Sequence, residues 1–189
     1  MDIERLVRDK LISLLQNGFD CTQEVQLRTV SGHNVRCDVL GIPRNEEFSG
    51  CCLAFECKRP SQEWHYAPWS RAIKQASDNV GADVTDQRFP DAGTVTAAFL
   101  FPAPMIVPRG STQQANDLIR DGFEEAVAGM FHLALMFRVG KAGTTSLGKE
   151  RQLSLVLGPN EIWNARNGFT KNGYDLLLSG RPIGSSNRK

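Results

Sequence analysis

The chain has 189 residues, of which 41% are hydrophobic, and a formal net charge of +1. That length supports one substantial core rather than two, and no apolar run approaches the roughly 20 residues that cross a bilayer. The opening residues lack a secretory signal, so a soluble, intracellular, cytoplasmic protein is expected.

Residues 1–19 read as an amphipathic helix that carries Glu4 in its first turn and leaves through Gly18-Phe19. A strand follows, in which Val25 and Leu27 face inward while Glu24, Gln26 and Arg28 face outward. In the next strand Val35, Cys37 and Val39 form an apolar face and Asp38 points the opposite way, beside Arg36. Residues 41–50 are rich in turn formers, which predicts an antiparallel connection to a third strand. There Leu53, Phe55 and Cys57 alternate with Ala54, Glu56 and Lys58, so the acid and the amine share one face.

A second helix opens near Pro68, with Trp69, Ala72, Ile73, Ala76 and Val80 at helical spacing. Just before it, Trp64, His65 and Tyr66 suit core packing, or stacking on a nucleobase. Residues 94–101 form an apolar strand stopped by Pro102 and Pro104. Ser111 with Gln114 resembles a capping box ahead of a helix bearing Ala115, Leu118, Ile119, Ala126 and Val127. A strand over 131–139 leads into a Gly-rich turn at 140–148, and residues 151–157 make a further strand. Trp163, Phe169 and Tyr174 close the core within 158–178. The Gly, Ser, Pro, Arg and Lys of 179–189 predict a disordered basic tail, which leaves residues 1–178 as the domain. The elements together predict an α/β single domain with a central mixed sheet flanked by helices.

Five cysteines without CxxC spacing read as reduced, mostly buried thiols rather than a zinc site. Charge is distributed unevenly. Residues 1–58 hold 7 Lys/Arg against 9 Asp/Glu, 59–137 hold 6 against 9, and 138–189 hold 9 against 3. The basic segment, with Arg138, Lys141, Lys149 and Arg151 flanking the Gly-rich turn, is therefore a candidate for phosphate contacts, as is Arg36. A solvated basic hairpin fits the same pattern.

Asp38, Glu56 and Lys58 on adjacent strands carry the chemistry. Phosphodiester hydrolysis needs an acidified water and neutralisation of charge on phosphorus. Hard carboxylate oxygens suit Mg²⁺ or Mn²⁺, which keep several waters and accept phosphate oxygens. Lys58 can hold the attacking water and oppose developing negative charge, and the Cys57 main-chain carbonyl is a further donor. Each residue also has a bland reading: Glu56 and Lys58 suit a solvated strand face, and Glu4 suits the positive end of a helix dipole.

These residues, in α-β-β-β-α-β order, resemble the restriction-endonuclease-like PD-(D/E)XK nucleases, a set that includes Holliday junction resolvases and phage nucleases. The likeness covers residues 1 to about 80, with Cys37 standing where the family name has proline. It implies metal binding by Asp38 and Glu56, water management by Lys58, and DNA as substrate cut to leave a 5′-phosphate. Glu4 matches the family's helix-borne accessory acid, with Glu24 as its competitor, and Gln75 matches a glutamine that touches the site. Pairing as a homodimer to cut two strands is also implied. Two other classes remain open: a nuclease-fold protein that binds nucleic acid without turnover, and a phage or mobile-element factor that binds a protein.

Overall fold

The computed structural model describes residues 2–59, 66–102, 133–147 and 150–178, with the side chains of 66–68, 145–147 and 150–151 outside that description. Helix α1 (Ile3–Leu15) begins at Asp2, whose carboxylate accepts the N–H groups of Glu4 and Arg5 at 3.1 and 3.3 Å. Such a cap contributes about 1 kcal/mol. The chain leaves the helix through Gly18, where a Cβ would meet the Trp163 indole at 2.9 Å. Only glycine permits that approach.

Strands β1 (Phe19–Arg28), β2 (Asn34–Pro43) and β3 (Cys52–Cys57) follow, the last two joined through a 3₁₀ turn at Glu46–Phe48. Helix α2 (Tyr66–Asn79) then carries the chain past a short β4 (Asp83–Val84) to β5 (Val95–Phe101). A 3₁₀ turn at Leu135–Phe137 precedes β6 (Val139–Leu147), β7 (Glu150–Leu157), β8 (Asn160–Asn164), β9 (Gly168–Phe169) and helix α3 (Lys171–Leu178). The strands form one sheet in the order β4-β1-β2-β3-β5-β6-β7-β8-β9. It is mixed, since β3, β5 and β6 run parallel and the other pairs antiparallel. This is a single α/β domain.

Both faces of the sheet are covered. On one side Leu11 and Leu15 of α1 and Leu177 of α3 pack with Leu53, Phe55, Phe99 and Trp163. On the other, Ala72 and Ala76 of α2 pack with Ala54, Ala98 and Leu100. All six residues of β3 are consequently buried. The alternation in β3 thus separates two buried faces, not a buried face from a wet one.

Three expectations are corrected. Val35, Cys37 and Val39 do not share a face: Val35 and Cys37 pack on the α2 side and Val39 on the α1 side. The cause lies in β1, where Glu24 has a left-handed φ of +53° between the pairs Gln23↔Val39 and Val25↔Cys37. Before it Phe19 and Cys21 pack on the α1 side, and after it Val25 and Leu27 pack on the α2 side. Arg88 braces the kink by donating to the Gln23 and Glu24 carbonyls, each at 3.3 Å, while Asp86 holds its guanidinium at 2.6 Å.

Within the strand expected at 131–139, Leu135–Phe137 form a 3₁₀ turn closed by Arg138 with φ +55°, and the strand begins at Val139. A continuous apolar run carries no period to separate the two. The Gly-rich stretch at 140–148 is not a turn through most of its length, because β6 runs to Leu147 and pairs with β7 from Lys141↔Val156 to Leu147↔Glu150. Gly140 serves a close approach: a Cβ there would meet the Val156 carbonyl and the Phe99 ring. Gly140→Ala is expected to destabilise the domain by about 1–3 kcal/mol, read as a lower urea midpoint.

The expected helix at 111–127, the Trp64-His65-Tyr66 side chains and the basic tail lie outside the described residues. All five cysteines are free, and burial pushes the Cys37 thiol up to about 12. Among the described residues no helix is long and apolar enough to cross a membrane.

Candidate active site

The site forms where β2 and β3 part. Their pairing covers Val39↔Phe55, Leu40↔Ala54 and Gly41↔Leu53, and continuing that register sets Asp38 opposite Glu56. There the Asp38 side chain takes over from the backbone ladder, and its Oδ2 accepts the Cys57 N–H at 2.7 Å. The other edge of β3 stays anchored, since Lys58 donates its N–H to the Phe101 carbonyl at 2.7 Å. One strand is thus held on both sides at the point where its acid projects.

Glu56 is 0% exposed. Its Oε1 accepts Asn79 Nδ2 at 2.8 Å, and its Oε2 accepts Lys58 Nζ at 3.2 Å. Lys58 Nζ also donates to Gln75 Oε1 at 2.9 Å, and its side chain remains 31% exposed. Gln75 and Asn79 stand one turn apart on α2, so a single helix face supports both the acid and the amine. Burial, then the charge of Asp38, raise the Glu56 carboxyl to about 7, against the opposing pull of Lys58 and Asn79. Carboxylates that repel one another in this way suit a cation between them.

Asp38 is 27% exposed, so solvent reaches the rim of the pair. Arg8 of α1 approaches it, with Nη1 at 3.9 Å from Asp38 Oδ1 and 3.4 Å from Glu24 Oε1. Arg36 reaches the same Glu24 at 3.6 Å rather than Asp38. Glu4 is paired with Arg59 at 3.4 Å, both side chains being well exposed. Glu4 and Glu24, the acids expected to assist, are instead each engaged by arginine.

The structure therefore brings together Asp38, Glu56, Lys58 and Gln75, with the Cys57 main chain between the acids. It leaves Glu4 at the helix end beside Arg59. Arg138 does not join them: its carbonyl accepts the Ala98 N–H, and its charge bears on Cys51 at the opposite end of β3. Lys141 sits in a strand at 8% exposure, in register with Leu100, which pairs with Glu56. Burial lowers its pKa. Lys149 and the Arg151 side chain lie outside the described residues.

Two residues at the site escaped the sequence reading. Arg8 lies four residues after Glu4 and Asn79 four after Gln75, so helical spacing from either candidate would have found it.

Two carboxylates, one main-chain carbonyl and adjoining solvent match the hard-oxygen donor set of Mg²⁺ or Mn²⁺, which bind through one or two carboxylates and keep waters. Among the described residues no group of three or more His, Cys, Asp or Glu side chains gathers to hold a metal ion. No family model, curated protein or solved structure matches the chain.

Proposed function

We propose that the chain is a divalent-metal-dependent nuclease with a restriction-endonuclease-like core of PD-(D/E)XK type, hydrolysing phosphodiester bonds in DNA. The observation that carries this reading is the meeting of Asp38, Glu56 and Lys58 at the parted ends of β2 and β3. Asp38, Glu56 and the Cys57 carbonyl would hold Mg²⁺ or Mn²⁺, which when bound acidifies water and offsets charge on phosphorus. Lys58, held by Gln75, presents its amine beside Glu56 and positions the attacking water. Asn79 fixes the buried carboxylate from behind.

The test is incubation with linear, circular, single-stranded and branched DNA in Mg²⁺, Mn²⁺ and EDTA. Cleavage with either metal, none in EDTA, and loss of cleavage in a folded Asp38→Ala variant are expected. Undiminished cleavage by Asp38→Ala removes the assignment.

A second reading is a nucleic-acid-binding protein that keeps the scaffold without turnover. It is favoured by the occupancy of the acids, since both Glu56 oxygens and Asp38 Oδ2 accept hydrogen bonds while Oδ1 faces Arg8. DNA retention without cleavage and without Mn²⁺ uptake would support it.

A further inference from the structure

The geometry points to Arg8 as a resident cation that fills the accessory acidic position, so that the site takes one divalent ion rather than two; this rests on the nuclease reading. A two-ion site needs a carboxylate shared between ions about 3.5–4 Å apart and a further acid for the second ion. Asp38 would be the acid to share, and Glu24, which lies between the pairs Gln23↔Val39 and Val25↔Cys37 that flank Asp38, would be the further acid. The position between them is taken. Arg8 Nη1 lies 3.4 Å from Glu24 and 3.9 Å from Asp38, at 14% side-chain exposure.

The backbone supports the arrangement. Glu24 holds its left-handed φ of +53° with its carbonyl gripped by Arg88, which fixes its carboxylate beside Arg8. A non-glycine residue in that region is a strained position that the surroundings must maintain. Arg36 adds a second cation on Glu24 at 3.6 Å, and Glu4, the other candidate, is held by Arg59 at 3.4 Å. The Arg36 and Arg59 side chains, 58% and 63% exposed, are screened by solvent, so Arg8, at 14%, is the cation that holds the position.

Arg8 is largely buried. Its Nε is buried with no hydrogen-bond partner among the described residues, which is a costly state for a guanidinium N–H. Guanidinium groups recognise phosphate oxygens through paired N–H donors. Because that Nε is closed to solvent, any phosphate contact at Arg8 would fall to its terminal Nη groups, which already face Glu24 and Asp38.

The experiment is calorimetric titration of the full chain with MnCl₂ at pH 8 in the absence of DNA, for the parent, Arg8→Met, Arg8→Lys and the Arg8→Met/Glu24→Gln pair. The parent and Arg8→Lys are expected to take about one Mn²⁺ per chain, Arg8→Met about two, and the double variant about one again. Methionine keeps the aliphatic packing of the arginine stem, and circular dichroism checks each fold. Two ions in the parent overturn this inference while leaving the nuclease reading intact, and that arm holds even if Arg8→Met fails to fold. One ion in a folded Arg8→Met also overturns it. No ion in the parent removes the metal site itself, and with it the nuclease reading.

Discussion

Between pH 4 and pH 8 in EDTA, the stability of Glu56→Gln relative to the parent is expected to shift by about 3 kcal/mol in the variant's favour. The cause is the burial of Glu56, which with the Asp38 charge raises its carboxyl from 4.5 to about 7 in the folded protein. An unfolded chain releases that proton near the ordinary glutamate value, so between about 4.5 and 7 the native state binds more protons than the unfolded one. Stability must then fall as pH rises through that window, and level off above it. At 1.36 kcal/mol per pH unit the change accumulates to about 3 kcal/mol. Glutamine has no proton to lose and no such slope. Its amide still meets Lys58 and Asn79, both donors, so the two proteins differ by a constant offset as well. Urea unfolding midpoints across pH separate the two effects, since only the slope reports the titration. Parallel curves would show that Glu56 ionises normally, with the pull of Lys58 and Asn79 cancelling burial and the Asp38 charge.

The sequence makes the sheet around the site readable because its periodicity is local. Val25 and Leu27, and Leu53 and Phe55, alternate as strands do, and Asp38, Glu56, Lys58 and Gln75 meet where adjacent strands and the next helix bring them. What periodicity cannot express is a change of phase. Glu24 turns the β1–β2 ribbon over, so residues of one parity serve the α1 side before it and the α2 side after it. Nor does alternation reveal that both faces are covered. Glu56 reads as a surface acid when only β3 is considered, and α2 is what buries it. The 3₁₀ turn at Leu135–Phe137 and the strand through Gly140 depend on contacts distant in the chain, with Phe99 and Val156 deciding the second. Ion pairs between distant segments leave no periodic signal either. Arg36 reads as a phosphate contact and nothing local marks Arg8 or Arg59, yet each pairs with a glutamate near the site.

Lys58→Met is expected to lower the DNA cleavage rate by about 10²–10⁴-fold in Mg²⁺, the range for losing a positioned proton-transfer or charge-stabilising group. It should leave Mn²⁺ stoichiometry unchanged, because the oxygen donors remain. Lys58 has an asymmetric position that explains the combination: Nζ lies 3.2 Å from buried Glu56 Oε2 and 2.9 Å from Gln75 Oε1, while its side chain keeps solvent access. Its amine thus supports the acid on one side and keeps access to solvent on the other. The same contact supplies a second readout. Lys58 is among the groups that draw the Glu56 carboxyl down from the value that burial alone would set. Removing the amine must therefore move the pH window of metal-free destabilisation upward, with the native state holding its proton to higher pH. A lysine that merely decorates the strand end would change neither rate nor window. If the window moves and cleavage survives, Lys58 tunes the acid without managing the water, and the attacking water must be positioned by another group.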